Sequence, residues 1–79
     1  MITPRQCRAA RVLLDWTQKD LAAQAKINLA VVARFEREEV DTRSHAVIAM
    51  EKAVRRAGID LLYPDQHGGE GVRFVKGKG

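Results

Sequence analysis

Residues 17–36, TQKDLAAQAKINLAVVARFE, decide how the chain folds. They read as two short helices on either side of a tight bend. Thr17-Gln18-Lys19-Asp20 is a helix-start signal, with Thr17 as cap and Asp20 as a shorter stand-in for the usual Glu three residues on. The helix that follows runs from Gln18 to Ala25 and turns Leu21, Ala22 and Ala25 inward; small alanines let a neighbouring helix approach closely. Asn28 then caps a second helix whose inward face is Val32 and Phe35, with Val31 beside them. A helix that reads DNA would be expected to open with polar side chains, yet this one opens with Leu29 and Ala30.

Working outward, Thr3-Pro4-Arg5-Gln6 starts an earlier helix. Thr3 can cap, Pro4 suits the first helical position, and Gln6 completes a capping box. Cys7, Ala10, Leu13 and Leu14 give this helix an apolar stripe that ends near Asp15. Glu38 to Arg43 is polar and aperiodic, a loop. Ser44 begins a fourth helix with Val47, Met50, Val54 and Ala57 inward, and Gly58 ends it. Thereafter the period changes: IDLLY (59–63) and VRFVK (72–76) are short β-favouring runs around the turn-rich PDQHGGEG. Two strands alone are marginal in water, so they should pack on the helices or add to the same hairpin of a second subunit; the last residues, KGKG, should fray. The expected fold is mainly α, one domain over 1–79, with a four-helix core at 3–57 and a hairpin tail at 58–79.

Composition bounds the function. The chain has 79 residues, 46% apolar and 30% charged, the balance of a soluble globular protein whose core is marginal without a partner. It carries no apolar run near the roughly 20 residues of a membrane span and no signal-peptide layout. Cys7 is the only cysteine, so no internal disulfide forms; that fits a reducing cytoplasm, and Cys7 reads as a small core residue rather than a reactive thiol. Net charge is +4, and its distribution says more than the total. Residues 1–37 hold seven Lys/Arg against three Asp/Glu, residues 38–65 four against six, and residues 66–79 three against one. Positive charge therefore gathers on the segment with the bend, which suggests a polyanion partner, though a solvated basic surface would look the same.

His45 and His67 lack a second His or Cys at metal-ligand spacing, so no metal or other cofactor is expected. Gly68-Gly69-Glu70-Gly71 has neither a following helix nor the Lys-Ser/Thr of a phosphate loop. No catalytic signature emerges either, and the chain reads as a non-enzyme. Single-stranded nucleic acid is disfavoured because Trp16, Phe35, Tyr63 and Phe74 are the only aromatics, and Trp16 and Phe35 read as buried.

The pattern Gln18-x-x-Leu21-Ala22, a turn around Lys26-Ile27, then Asn28-x-x-Val31-Val32-x-Arg34-Phe35-Glu36 resembles the phage Cro/repressor (XRE-type) helix-turn-helix family over residues 5 to about 57. GID followed by GGEGVRF is similar to the tail of some small bacterial regulators of this type. The resemblance implies a lambda-repressor-like bundle and a transcription regulator, bacterial or phage-encoded, acting in the cytoplasm at the nucleoid. It implies DNA contacts from Gln18, Asn28, Leu29, Ala30, Ala33, Arg34, Arg37 and Arg43, and a structural ion pair between Arg11 and Glu36. Gln18 would grip a phosphate at a helix N-terminus. Arg34 alone can make the bidentate guanine contact worth about 1–3 kcal/mol. Leu29 and Ala30 can press on thymine methyls, Asn28 can act as a cap alone, and Arg37 suits a phosphate. Three positions depart from the family pattern: Lys26 and Glu38 stand where glycine is usual, and Thr42 near a usual proline.

One such module contacts too little DNA for useful specificity. The expectation is therefore a homodimer on a palindromic operator with half-sites about 34 Å apart, joined through Leu61, Val72 and Phe74 of the tail or Ile48 of the fourth helix. Occlusion of a promoter is the simplest mechanism; contact with RNA polymerase is an open alternative. No small-molecule ligand or membrane is implied. The rival reading is a protein-binding helix-turn-helix module, anti-activator or antitoxin-like, docking through Leu29 and Ala30.

Overall fold

The computed structural model describes residues 1–39 and 44–77. Four helices come first, α1 (Pro4–Leu14), α2 (Gln18–Ala25), α3 (Leu29–Glu36) and α4 (His45–Arg56); β1 (Ile59–Leu62) and β2 (Gly71–Phe74) then form one antiparallel sheet. Every helix begins on the polar residue that the sequence offers. Thr3 and Gln6 make a reciprocal capping box, as do Thr17 and Asp20. The Asn28 side chain accepts from the Ala30 N–H at 2.7 Å, and Ser44 Oγ from the Val47 N–H at 3.3 Å. These bonds satisfy donors that a helix start otherwise leaves unpaired.

The helix ends are less comfortable. Asp15 caps α1 at φ 57°, Lys26 caps α2 at φ 58°, and Glu38 sits at φ 63° two residues beyond α3. The left-handed region costs an L-residue about 1–2 kcal/mol, so the backbone at Lys26 and Glu38 takes a shape that glycine holds freely. The Ile27 N–H donates to Ala22 O at 3.0 Å and closes the turn, while Ile27 packs on the core.

Leu21, Val32, Phe35, Val47, Met50 and Val54 form the interior where α2, α3 and α4 meet. Ile2, Cys7 and Ala10 bring α1 into it, and Ile59 and Leu61 bring the sheet. Two expected core positions shift. The buried face of α1 runs through Gln6, Cys7 and Ala10 towards Leu14, which leaves Leu13 on its edge, 39% exposed. On α4 the stripe closes on Ala53, while Ala57 becomes the half-buried C-cap.

The strands pair Ile59 with Phe74, Asp60 with Arg73, Leu61 with Val72 and Leu62 with Gly71. Side chains alternate across a strand, so Ile59, Leu61, Val72 and Phe74 share the face turned to the helices. Asp60 and Arg73 share the other and pair at 3.1 Å. Of the two expected roles for the hairpin, packing on its own helices is the one observed. The strands are shorter than the β-favouring runs: Pro64, which has no N–H to donate, follows Tyr63, and the Asp65 carboxylate accepts from the His67 and Gly68 N–H groups to turn the chain. A buried amide holds the hairpin to α1. Gln6 Nε2 donates to Leu62 O at 2.8 Å and to Gly71 O at 3.2 Å, while its Oε1 accepts from the Thr3 N–H at 3.0 Å. The Ile2 N–H donates to Glu51 Oε1 at 2.7 Å and lays the N-terminal strand of chain on α4. Among the described residues no helix is long and apolar enough to cross a membrane.

Candidate nucleic-acid interface

α3 has two unlike faces. Val32, Phe35 and Glu36 point inward. Asn28, Leu29, Ala30, Arg34 and Arg37 are exposed, and Ala33 is half-buried between the faces. The separation follows from periodicity: residues three and four apart lie on one side of a helix, and Val32–Phe35–Glu36 meets α1 and α2 while the remainder is left to solvent. Leu29 keeps 44% of its surface at the first turn, an apolar side chain at the tip of the element. Arg34 makes one long bond, Nε to Ala30 O at 3.4 Å, and no bond from its terminal nitrogens among the described residues. Its planar donor fork is available to a ligand. Asn28 spends its side-chain oxygen on the cap, and Arg37 forms an exposed pair with Glu39 at 3.0 Å. Exposed pairs are weak and screened by salt, so Glu39 holds Arg37 only loosely.

Beneath this face lies a buried polar cluster. Glu36, with 4% of its side chain exposed, receives a bidentate Arg11: Nε to Oε2 at 2.6 Å and Nη2 to Oε1 at 2.7 Å. Arg11 Nη1 also donates to Trp16 O at 3.1 Å, and Arg8 Nη1 donates to Glu36 O. The ion pair expected between Arg11 and Glu36 is present, and it joins α1 to the end of α3. Burial pushes the Glu36 carboxyl upward, and that is the largest single influence; the bonds from Arg11, Gln18 and Cys7 together outweigh it and hold the group below the usual carboxylate range. Cys7 Sγ donates to Glu36 Oε2 at 3.2 Å; burial first, then the adjacent carboxylate, raises the thiol far above its ordinary range. Cys7 is a buried core residue whose surroundings disfavour the thiolate.

Gln18 departs from its expected position. Its Nε2 donates to Glu36 Oε1 at 3.1 Å, so the amide is turned into the cluster rather than outward to a phosphate. At the start of α2 the Thr17–Asp20 capping bonds leave the Gln18 and Lys19 N–H groups without a partner among the described residues. Asp20 in the first turn, however, puts a negative charge near any incoming anion. Arg43 lies outside the described residues, as does Thr42.

The four expected dimer contacts divide. Ile48 is 36% exposed on α4 and free to meet a second copy. Leu61 is 5% exposed, its surface already used within the chain, and that corrects its assignment to an interface. Val72 and Phe74 are half-buried on the inner face of the sheet against the same core. Trp16 is half-buried rather than buried; Phe35 is wholly enclosed. No cluster of three or more His, Cys, Asp or Glu able to hold a metal occurs among the described residues. Compared with the known protein families and with curated proteins, the chain matches none significantly.

Proposed function

We propose that this chain is a sequence-specific double-stranded DNA-binding transcriptional regulator, a repressor that acts as a homodimer on a palindromic operator. The observation that carries the reading is the outer face of α3: a short helix, docked across α2 after a three-residue turn, whose solvent side holds Leu29, Ala30, Arg34 and Arg37 and no acidic residue. Small side chains at its first turn let such a helix seat deeply in a major groove, and Arg34 supplies the guanine-reading fork. The resemblance to Cro/repressor-type regulators points the same way. Direct readout is modest, so phosphate contacts and DNA shape carry much of the specificity. In this reading the protein works at the nucleoid, blocks a promoter by occupying it, and carries out no chemistry of its own.

Selection of tight binders from a random duplex library tests this directly. The expected product is a two-fold symmetric site, bound less tightly as salt rises because counterions are released from phosphates. Arg34→Ala should cost about 1–3 kcal/mol at one base pair of each half-site and relax preference there. No enrichment at low salt would overturn the proposal. A second reading is favoured by two observations together: Leu29 is 44% exposed, and Gln18 is bound to Glu36. Both suit a module that docks a protein through the first turn of α3, and binding of that kind would be nearly indifferent to salt.

A further inference from the structure

A groove of about 460 Å³ lies between the C-terminal end of α2 and α4, lined by Gln24, Ala25, Lys26, Ala49, Lys52 and Arg56. Ala25 and Ala49 contribute only methyl groups, so the polar character of the groove comes from three cations and one amide. No carboxylate lines it. Arg11, Arg37, Arg55 and Arg73 each hold an acidic partner within 3.2 Å; Lys26, Lys52 and Arg56, like Arg5, Arg8, Lys19, Arg34 and Lys76, hold none among the described residues, and these three line one groove.

Two local choices that oppose stability converge here. Lys26 occupies a left-handed position, φ 58° and ψ 46°, that glycine would take without strain. Lys52 and Arg56 stand one turn apart on α4, where like charges repel. Arg56 has a local explanation: its Nη2 donates to Gln24 O at 3.3 Å, at the negative end of α2. That bond also fixes the guanidinium in the wall of the groove. Lys26 and Lys52 make no such bond to a carbonyl among the described residues, and both line the groove.

We infer that this groove binds phosphoryl oxygens. It is open and has no aromatic side chain to stack a base, so it recognises charge and not sequence. Lys26 lies two residues before Asn28, the cap of α3, so the groove adjoins the helix assigned to the major groove. The inference rests on the DNA-binding reading and extends it: the groove takes backbone phosphates flanking the segment that α3 contacts. A free phosphorylated ligand offers the same oxygens, and the experiment separates the two sources.

The full chain is compared with the double variant Lys26→Gly, Lys52→Gln. Glycine relieves the left-handed strain, so the variant should melt no lower than the parent. Fluorescence anisotropy against the selected duplex, measured across a range of salt, should show the slope of log affinity against log salt falling by about two, close to 0.9 for each lost phosphate contact, with base preference unchanged. In a second arm, tripolyphosphate titrated into the parent should shift the backbone amides of Lys26, Lys52 and Arg56 saturably, and should shift none of them in the variant. A reduced slope assigns the site to duplex phosphates. An unchanged slope with saturable tripolyphosphate shifts assigns it to a free phosphorylated ligand. Absence of both effects overturns the inference while leaving the α3 reading intact, and so does a poly-glutamate peptide that shifts the same amides as strongly as tripolyphosphate. If the parent binds no duplex at all, the DNA-binding reading fails and the tripolyphosphate arm alone decides the groove.

Discussion

Glu36 gathers four side-chain hydrogen bonds on one carboxylate, from Cys7, Gln18 and both forks of Arg11. Removing one partner of a buried pair leaves the other charged and unmatched, which commonly costs about 3–5 kcal/mol. Arg11 keeps 17% of its side chain exposed, so the lower end applies here. Glu36→Gln is expected to lose about 3 kcal/mol at pH 7 by urea unfolding. The carboxyl is held below its ordinary range in the folded chain, so its contribution is complete above the unfolded value of about 4.3. It is lost as pH falls through the lower folded value. The gap between parent and variant should therefore narrow in unfolding curves at pH 3; a gap that stays constant would show that the charge is not the source. The Arg11–Glu36 pair was legible in the sequence through the spacing that resembles the repressor family. The roles of Gln18 and Cys7 were not, because a spacing fixes which residues are near one another but not which rotamer a long amide adopts.

At the scale of elements, caps were the most legible features. Thr3, Thr17, Asn28 and Ser44 each act within three residues of themselves, so the whole interaction lies in a short window of sequence. The same locality made Gln6 look complete as half of a capping box. Its second role, binding carbonyls 56 and 65 residues away, leaves no local trace. Leu13 was misplaced for a related reason: helical spacing gives the side of a helix, and only the neighbouring elements determine how wide the covered part is. Gln6→Ala removes one capping bond and leaves two carbonyls without their donor. A loss of about 2 kcal/mol is expected, at roughly 1 kcal/mol per bond with partial rescue by water. Hydrogen exchange should quicken at the β1–β2 amides and stay nearly constant in α2 and α3. Equal quickening everywhere would mean that the bond supports the global fold and not the attachment of the hairpin.

At the scale of the whole molecule, the proposed homodimer needs a face on which two copies meet. The longest dimension of one copy is 34 Å, comparable to the spacing of about 34 Å between successive major grooves that the proposed homodimer has to span. The sequence marked the apolar side chains of the tail as the joint, but Ile59, Leu61, Val72 and Phe74 lie on the face that covers the helices. A period-two pattern identifies a buried face without saying which body buries it. Ile48 remains, exposed on α4 and outside the core. Ile48→Asp should leave the melting temperature within a few degrees and convert a sedimenting dimer to a monomer. A variant that still sediments as a dimer would move the joint elsewhere.

The Gln6 carboxamide also sets the smallest piece of this chain that could stand alone. Excising everything after Gly58 would withdraw Ile59 and Leu61 from the interior, and would leave both the amide and the undersides of α1 and α4 facing water. Such a fragment would keep the bend and both of its helices in the gene while lacking the sheet that covers α1 and α4. Exchanging α3 between chains of this design therefore calls for retaining the hairpin along with α1 and α4.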